Sequence, residues 1–189
     1  MDSLAVKIAD KSARLAVIGL GYVGLPLAVG FARAGYQVLG LEVDERKVAA
    51  VNEGQSYIQD VEGSDVMSMV KAGHLSASND YGMLRNVDAI FICVPTPFDS
   101  MKAPDLTYIA QAARGIASRL GAGQLVILQS TTYPGTTEEF VLPLLEESGL
   151  QGGKDFHLAF SPERTNPGDK EFTVENTPKV VGGLTPHCT

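Results

Sequence analysis

Three glycines spaced as Gly19-Leu20-Gly21-Tyr22-Val23-Gly24 follow directly on the apolar run Leu15-Ala16-Val17-Ile18, and the apolar segment 25–34 follows them in turn. An acid, Glu42, stands 18 residues beyond the last glycine, at the end of a second apolar run. Each glycine has a physical use in holding a diphosphate. Gly19 permits a tight turn out of a strand, Gly21 lets bare backbone approach the phosphates, and Gly24 lets the next helix pack close to the strand. The unpaired N–H groups and the positive end of that helix then face the phosphate charge. Pro26, in the first turn, has no hydrogen bond to lose there. A carboxylate at position 42 is placed to accept from the hydroxyls of an adenosine ribose, and it would repel a 2′-phosphate, which favours NAD over NADP. Arg46 and Lys47 follow within a turn. They either neutralise a phosphate or form a solvated helix face, and Asp44 either caps that helix or touches the cofactor.

Other chemistries find little support. His74, His157 and His187 are far apart and form no pair at a metal-ligand spacing, so no metal is expected. Cys93 lies inside the apolar run 89–94 and Cys188 stands next to the last residue, so both read as free thiols. With 22 acidic against 15 basic side chains the net charge is -7. Such a chain repels phosphate polymers and anionic bilayers, and neither nucleic acid nor membrane is expected as a partner. No apolar run approaches the roughly 20 residues of a membrane helix. Residues 1–11 do not resemble a secretory leader, so a cytoplasmic location is expected.

The elements that must carry these residues show as short apolar runs separated by amphipathic stretches. The runs are 15–18, 38–43, 89–94, 125–128, 156–160 and 179–181. Continuous rather than alternating hydrophobicity means strands covered on both faces. The expected fold is α/β, a Rossmann-type doubly wound, mainly parallel sheet with helices on both faces, formed as one domain over residues 1–189. Gly35, Gly54 and Gly121 are placed to end helices with positive φ. Thr136 with Glu139 forms a possible capping box for a helix that starts after Pro134-Gly135 and ends at Gly149. The polar stretch 165–178 reads as a loop.

Ligands of open α/β sheets bind at the carboxyl ends of the strands, and three strand-end loops are distinctive. They are Cys93-Val94-Pro95-Thr96-Pro97, Gln129-Ser130-Thr131-Thr132-Tyr133-Pro134-Gly135-Thr136-Thr137 and Phe160-Ser161-Pro162-Glu163-Arg164-Thr165-Asn166-Pro167-Gly168. Taken in order with the glycine motif, they resemble the N-terminal NAD-binding domain of the UDP-glucose/GDP-mannose dehydrogenase family, over essentially the whole chain. Ser56-Tyr57-Ile58, Pro97-Phe98 with Pro104-Asp105-Leu106, and the third loop are most similar to members that oxidise UDP-N-acetylglucosamine or UDP-N-acetylmannosamine.

The resemblance implies a four-electron oxidation of a sugar C6 alcohol to a carboxylate, with two NAD used in turn and a thioester on a cysteine, in polysaccharide biosynthesis. It implies that Gly19, Gly21, Tyr22, Val23 and Gly24 cradle the pyrophosphate. Glu42 and Lys47 would serve the adenosine ribose region, Pro95, Thr96 and Pro97 the middle of the cofactor, and Thr131 its nicotinamide end, with Ser130 also binding the cofactor. Thr131 and Glu163 match residues with catalytic roles, Glu163 as a base in thioester hydrolysis, while Glu163, Arg164 and Thr165 would lie beside the UDP-sugar substrate. A water attacking a thioester does need a positioned acceptor. On the residues alone, Thr131 equally closes a turn or holds Glu163, and Glu163 equally serves as a surface acid beside Pro162.

The family's Gly-rich segment bearing the nucleophilic cysteine has no counterpart here. The expectation is therefore the first part of a longer enzyme, homo-oligomeric when whole and without turnover as this chain alone. Two other readings stay open: a different NAD-dependent dehydrogenase, which would not explain the strand-end loops, and a stand-alone nucleotide-binding module that catalyses nothing.

Overall fold

The computed structural model describes residues 3–98, 104–164 and 176–189. Helix α1 (Ser3–Ala9) leads into β1 (Arg14–Ile18), α2 (Gly24–Arg33), β2 (Gln37–Leu41), α3 (Glu45–Asn52), α4 (Gly63–Lys71) and β3 (Leu75–Ser78). A 3-10 turn (Tyr81–Asn86) then precedes β4 (Ala89–Ile92), α5 (Thr107–Ala117), β5 (Leu125–Leu128), a π-helical segment (Thr136–Val141), α6 (Leu142–Glu146), β6 (His157–Phe160) and β7 (Gly182–Gly183). The sheet runs β3-β2-β1-β4-β5-β6-β7, parallel from β3 to β6 with β7 antiparallel at the edge. The strand order reverses between β1 and β4, and it is there that a Rossmann sheet opens a crevice for its ligand.

The continuous hydrophobicity of the strands divides by alternation between two cores. Leu15, Val17, Val38 and Ala89 face the layer of α2 and α4, with Leu25, Ala28, Val29 and Val66. Ala16, Ile18, Leu39, Leu41, Ile90 and Ile92 face the layer of α5 and α6, with Ile109, Ala113, Ile116 and Leu145. Both faces are therefore dry, as the sequence pattern requires. Among the described residues no helix is long and apolar enough to cross a membrane.

Three expectations need correction, and one strand was not anticipated. The run 179–181 is not a strand; pairing falls on Gly182–Gly183, and Val180 and Val181 are exposed. Strand β3 was missed because it is a short edge strand that alternates, with Leu75 and Ala77 buried and Ser76 exposed. Gly121 does not take positive φ: α5 already ends at Ala117, Gly121 donates its N–H to Gln124 Oε1, and the left-handed residue is Gly123. Thr136 is no N-cap. Gly135, at φ 92°, takes that position, and the Thr136 hydroxyl donates back to the Tyr133 carbonyl at 2.8 Å.

Candidate functional site

A cleft of about 800 Å3 opens at the carboxyl ends of β1, β2, β4 and β5, within the range of small-molecule sites. Its wall includes Gly19, Gly21, Tyr22, Val23, Glu42, Lys47, Pro95, Thr96, Ser130, Thr131 and Glu163. Eleven of the positions expected from sequence thus converge from segments up to 144 residues apart (163 less 19). Buried Gly24 and exposed Pro97 and Arg164 are not part of the wall, and Thr165 lies outside the described residues.

The glycines divide the work. A Cβ on Gly19, already at φ 89°, would meet the Cys93 carbonyl oxygen at 2.7 Å, and one on Gly24 would run into the Gly19 carbonyl. These two are needed by the fold. A Cβ on Gly21 would meet nothing within 4 Å; the space it leaves belongs to the cleft. Among the described residues none accepts from the amides of Gly21, Tyr22 or Val23, which lead into α2. Backbone donors at a helix start beside a side-chain-free position fit a diphosphate.

Glu42 follows β2 and is 9% exposed. Its Oε1 accepts from the N–H of Val43 at 2.9 Å and of Asp44 at 3.2 Å, and its Oε2 from that of Leu20 at 3.1 Å. Lys47 Nζ lies 3.6 Å from Oε2 and 5.7 Å above the Tyr57 ring. Asp44, left open by the sequence, caps α3 by accepting from the Arg46 N–H at 3.0 Å, and also forms part of the cleft wall. The hydrogen bonds from Arg46 hold its carboxyl down at about 2.

At the other end, Ser130 Oγ donates to the Val94 carbonyl at 2.8 Å and Thr96 Oγ1 to the Thr131 carbonyl at 2.8 Å, which locks the loops after β4 and β5 together. Glu163 is held by Gln129 Nε2 at 2.8 Å and Lys179 Nζ at 2.6 Å rather than by Thr131, and its Oε1 accepts from the Arg164 N–H at 2.7 Å. Cys93 is at the cleft floor, and burial, with the Glu163 charge second, pushes its thiol well up. Both effects disfavour the thiolate that a nucleophile needs. Cys188 is also a free, buried thiol.

Sequence reasoning missed Tyr57 as a wall residue, and Gln129 and Lys179 as the partners of Glu163. Tyr57 was noticed only as part of a motif. Gln129 begins the second strand-end loop, while Lys179 had been assigned to a strand and carried no signal of its partner.

The family model described as "UDP-glucose/GDP-mannose dehydrogenase family, NAD binding domain" matches residues 13–189. This chain belongs to that family. Its cofactor is NAD. It is 41% identical over 177 residues to a UDP-N-acetyl-D-glucosamine 6-dehydrogenase of Pseudomonas aeruginosa, covering 93% of this chain and 41% of that protein. To the UDP-N-acetyl-D-mannosamine dehydrogenase of Escherichia coli it is 38% identical over 187 residues, 94% of this chain and 43% of that one. Among solved structures, an NDP-N-acetyl-D-galactosaminuronic acid dehydrogenase of Methanosarcina mazei superposes with a TM-score of 0.87 at 32% identity, over 100% of this chain and 43% of that chain. The chain thus spans about two fifths of the length of these family members.

Proposed function

We propose that this chain is the NAD-binding domain, residues 1–189, of a cytoplasmic nucleotide-sugar 6-dehydrogenase that oxidises C6 of a UDP-N-acetylhexosamine for polysaccharide biosynthesis. The observation that carries the reading is the single cleft in which the open Gly21 turn, Glu42 and the loops after β4, β5 and β6 meet. The similarity to UDP-N-acetylglucosamine and UDP-N-acetylmannosamine dehydrogenases supports the choice of sugar.

In this reading Glu42 and Lys47 grip the adenosine ribose, and the amides of Gly21, Tyr22 and Val23 take the diphosphate on the turn that Gly19 and Gly24 shape. Pro95, Thr96 and Pro97 flank the middle of the cofactor, and Ser130 and Thr131 its nicotinamide end. NAD supplies the hydride acceptor. Glu163, fixed by Gln129 and Lys179, faces the cleft as the acceptor for a water proton, with Arg164 and Thr165 beside the sugar.

The chain alone does not complete the reaction, because a thioester needs an accessible thiolate, and both its cysteines are buried, Cys93 with its proton held tightly. The whole enzyme is a homo-oligomer. Calorimetric titration tests the cofactor: NAD binds and NADP binds more weakly. Incubation with NAD and UDP-N-acetylglucosamine, UDP-N-acetylmannosamine or UDP-glucose yields no NADH; an enzyme-like rate would overturn the claim of no turnover.

A further inference from the structure

Leu20, between the first two glycines, is pinned on three sides. Its buried side chain fills the space over Gly40, where a Cβ would come within 2.7 Å of Leu20 Cδ1. Its N–H donates to Glu42, and its carbonyl accepts from the Tyr57 hydroxyl at 2.8 Å. The first two anchors belong to β2 and to the acid that follows it. The third comes from the connection between α3 and α4, a segment with no part in the glycine motif. The Tyr57 ring is itself part of the cleft wall, with the Lys47 ammonium above its face. Burial, followed by the carboxylates of Glu42 and Asp44, pushes the phenol up, so the hydroxyl stays protonated and keeps its donor role.

The N–H and the carbonyl of Leu20 lie in successive peptide planes, one on each side of its Cα, so both planes leading into the turn are held: the first by Glu42, the second by Tyr57. The Gly21 amide shares its peptide plane with the Leu20 carbonyl and is therefore aimed by the Tyr57 hydroxyl, and a donor aimed in advance loses little entropy on binding. Tyr57, Leu20, Glu42 and Lys47 close a ring of contacts in which the phosphate end and the ribose end of the site share a support.

We propose that Tyr57 is a positioning residue for the dinucleotide, its hydroxyl setting the phosphate-binding turn through the Leu20 carbonyl while its ring walls the adenosine side. This rests on the NAD reading above. Two groups on one side chain serve two parts of the ligand, so they separate by substitution. Tyr57→Phe keeps the wall and frees the turn, whereas Tyr57→Leu removes both.

The test is titration of NAD, ADP-ribose and adenosine into the intact chain and both variants, followed by amide NMR. In Tyr57→Phe, NAD and ADP-ribose weaken roughly five- to ten-fold, one hydrogen bond's worth, while adenosine changes by less than about two-fold. The amide signals of Gly21 and Tyr22 shift or broaden in the free variant, and those of α5 do not move. In Tyr57→Leu adenosine weakens as well. Unchanged NAD affinity in Tyr57→Phe, or an equal loss for all three ligands, overturns the proposal. If the wild-type chain fails to bind NAD, the site reading falls and takes this one with it; if it binds and Tyr57→Phe binds equally, only the role of Tyr57 falls.

Discussion

Leu20 donates its N–H to Glu42 Oε2 at 3.1 Å, which ties the middle of the glycine turn to the acid that follows β2. A carboxylate offers about four acceptor sites. Two on Oε1 are filled by Val43 and Asp44, one on Oε2 by Leu20, and the last faces the cleft, where the Lys47 ammonium stands 3.6 Å away. In the proposed reading a ribose hydroxyl enters at that last site.

Glu42→Ala therefore costs more than one ligand contact, because it also strands the buried Leu20 N–H. The expected loss of NAD affinity is on the order of 10- to 100-fold, the range of a hydrogen bond to a charged group. NADP, repelled by the carboxylate in the wild type, loses less, and the preference for NAD narrows. Calorimetry with both cofactors measures it. A preference that survives Glu42→Ala unchanged would show that the discrimination lies elsewhere.

Gly21→Ala and Gly24→Ala differ in kind although both alter the same motif. The added methyl at position 21 meets no protein atom, so the variant melts within about a degree of wild type yet loses NAD binding by steric exclusion from the cleft. At position 24 the methyl collides with the Gly19 carbonyl, backbone that cannot yield. That variant loses stability by roughly 1–3 kcal/mol, as overpacked sites do. Thermal melts paired with NAD titrations separate the two; equal melting temperatures would contradict the assignment.

The glycine motif, Glu42 and the strand-end loops were legible because each is a local pattern with one physical use. Runs such as 15–18 and 89–94 announced buried parallel strands for the same reason. What stayed hidden was long-range or small. Gly40 makes room for a side chain 20 residues earlier (40 less 20), and Lys179 meets an acid 16 residues before it. β3 has only two apolar residues among its four. The left-handed residue before β5 is Gly123 and not Gly121, a choice made by the N–H of Gly123 reaching the Asp155 carbonyl at 2.7 Å. None of these partners is written near the residue it determines.

Asp44 gives a pH signature. Its folded carboxyl sits at about 2, below the ordinary 3.8, held there chiefly by hydrogen bonds from Arg46. A depressed acid contributes stability that is present in full above its unfolded value and is lost as pH falls through the folded one. The cap on α3 therefore persists at pH 4 and is lost between about 4 and 2. Carbon-detected NMR titration of the side-chain carboxyl follows it directly. A midpoint near 3.8 would mean that the cap and the Arg46 contacts are not formed in solution.

Lys179 and Glu163 form an ion pair at 2.6 Å with side-chain exposures of 24% and 7%. Removing one partner of a buried pair costs roughly 3–5 kcal/mol, because a charge is left behind without its counterion. Lys179 keeps part of its surface in water, and Gln129 and the Arg164 N–H still donate to the carboxylate, so Lys179→Met is expected to cost about 2 kcal/mol after that discount. For a domain of this size that is about 4–8 °C in melting temperature. Glu163→Gln paired with Lys179→Met strands no charge, and the double variant regains most of the loss. A double-mutant cycle reads the coupling, and costs that simply add would show that the two side chains do not hold each other.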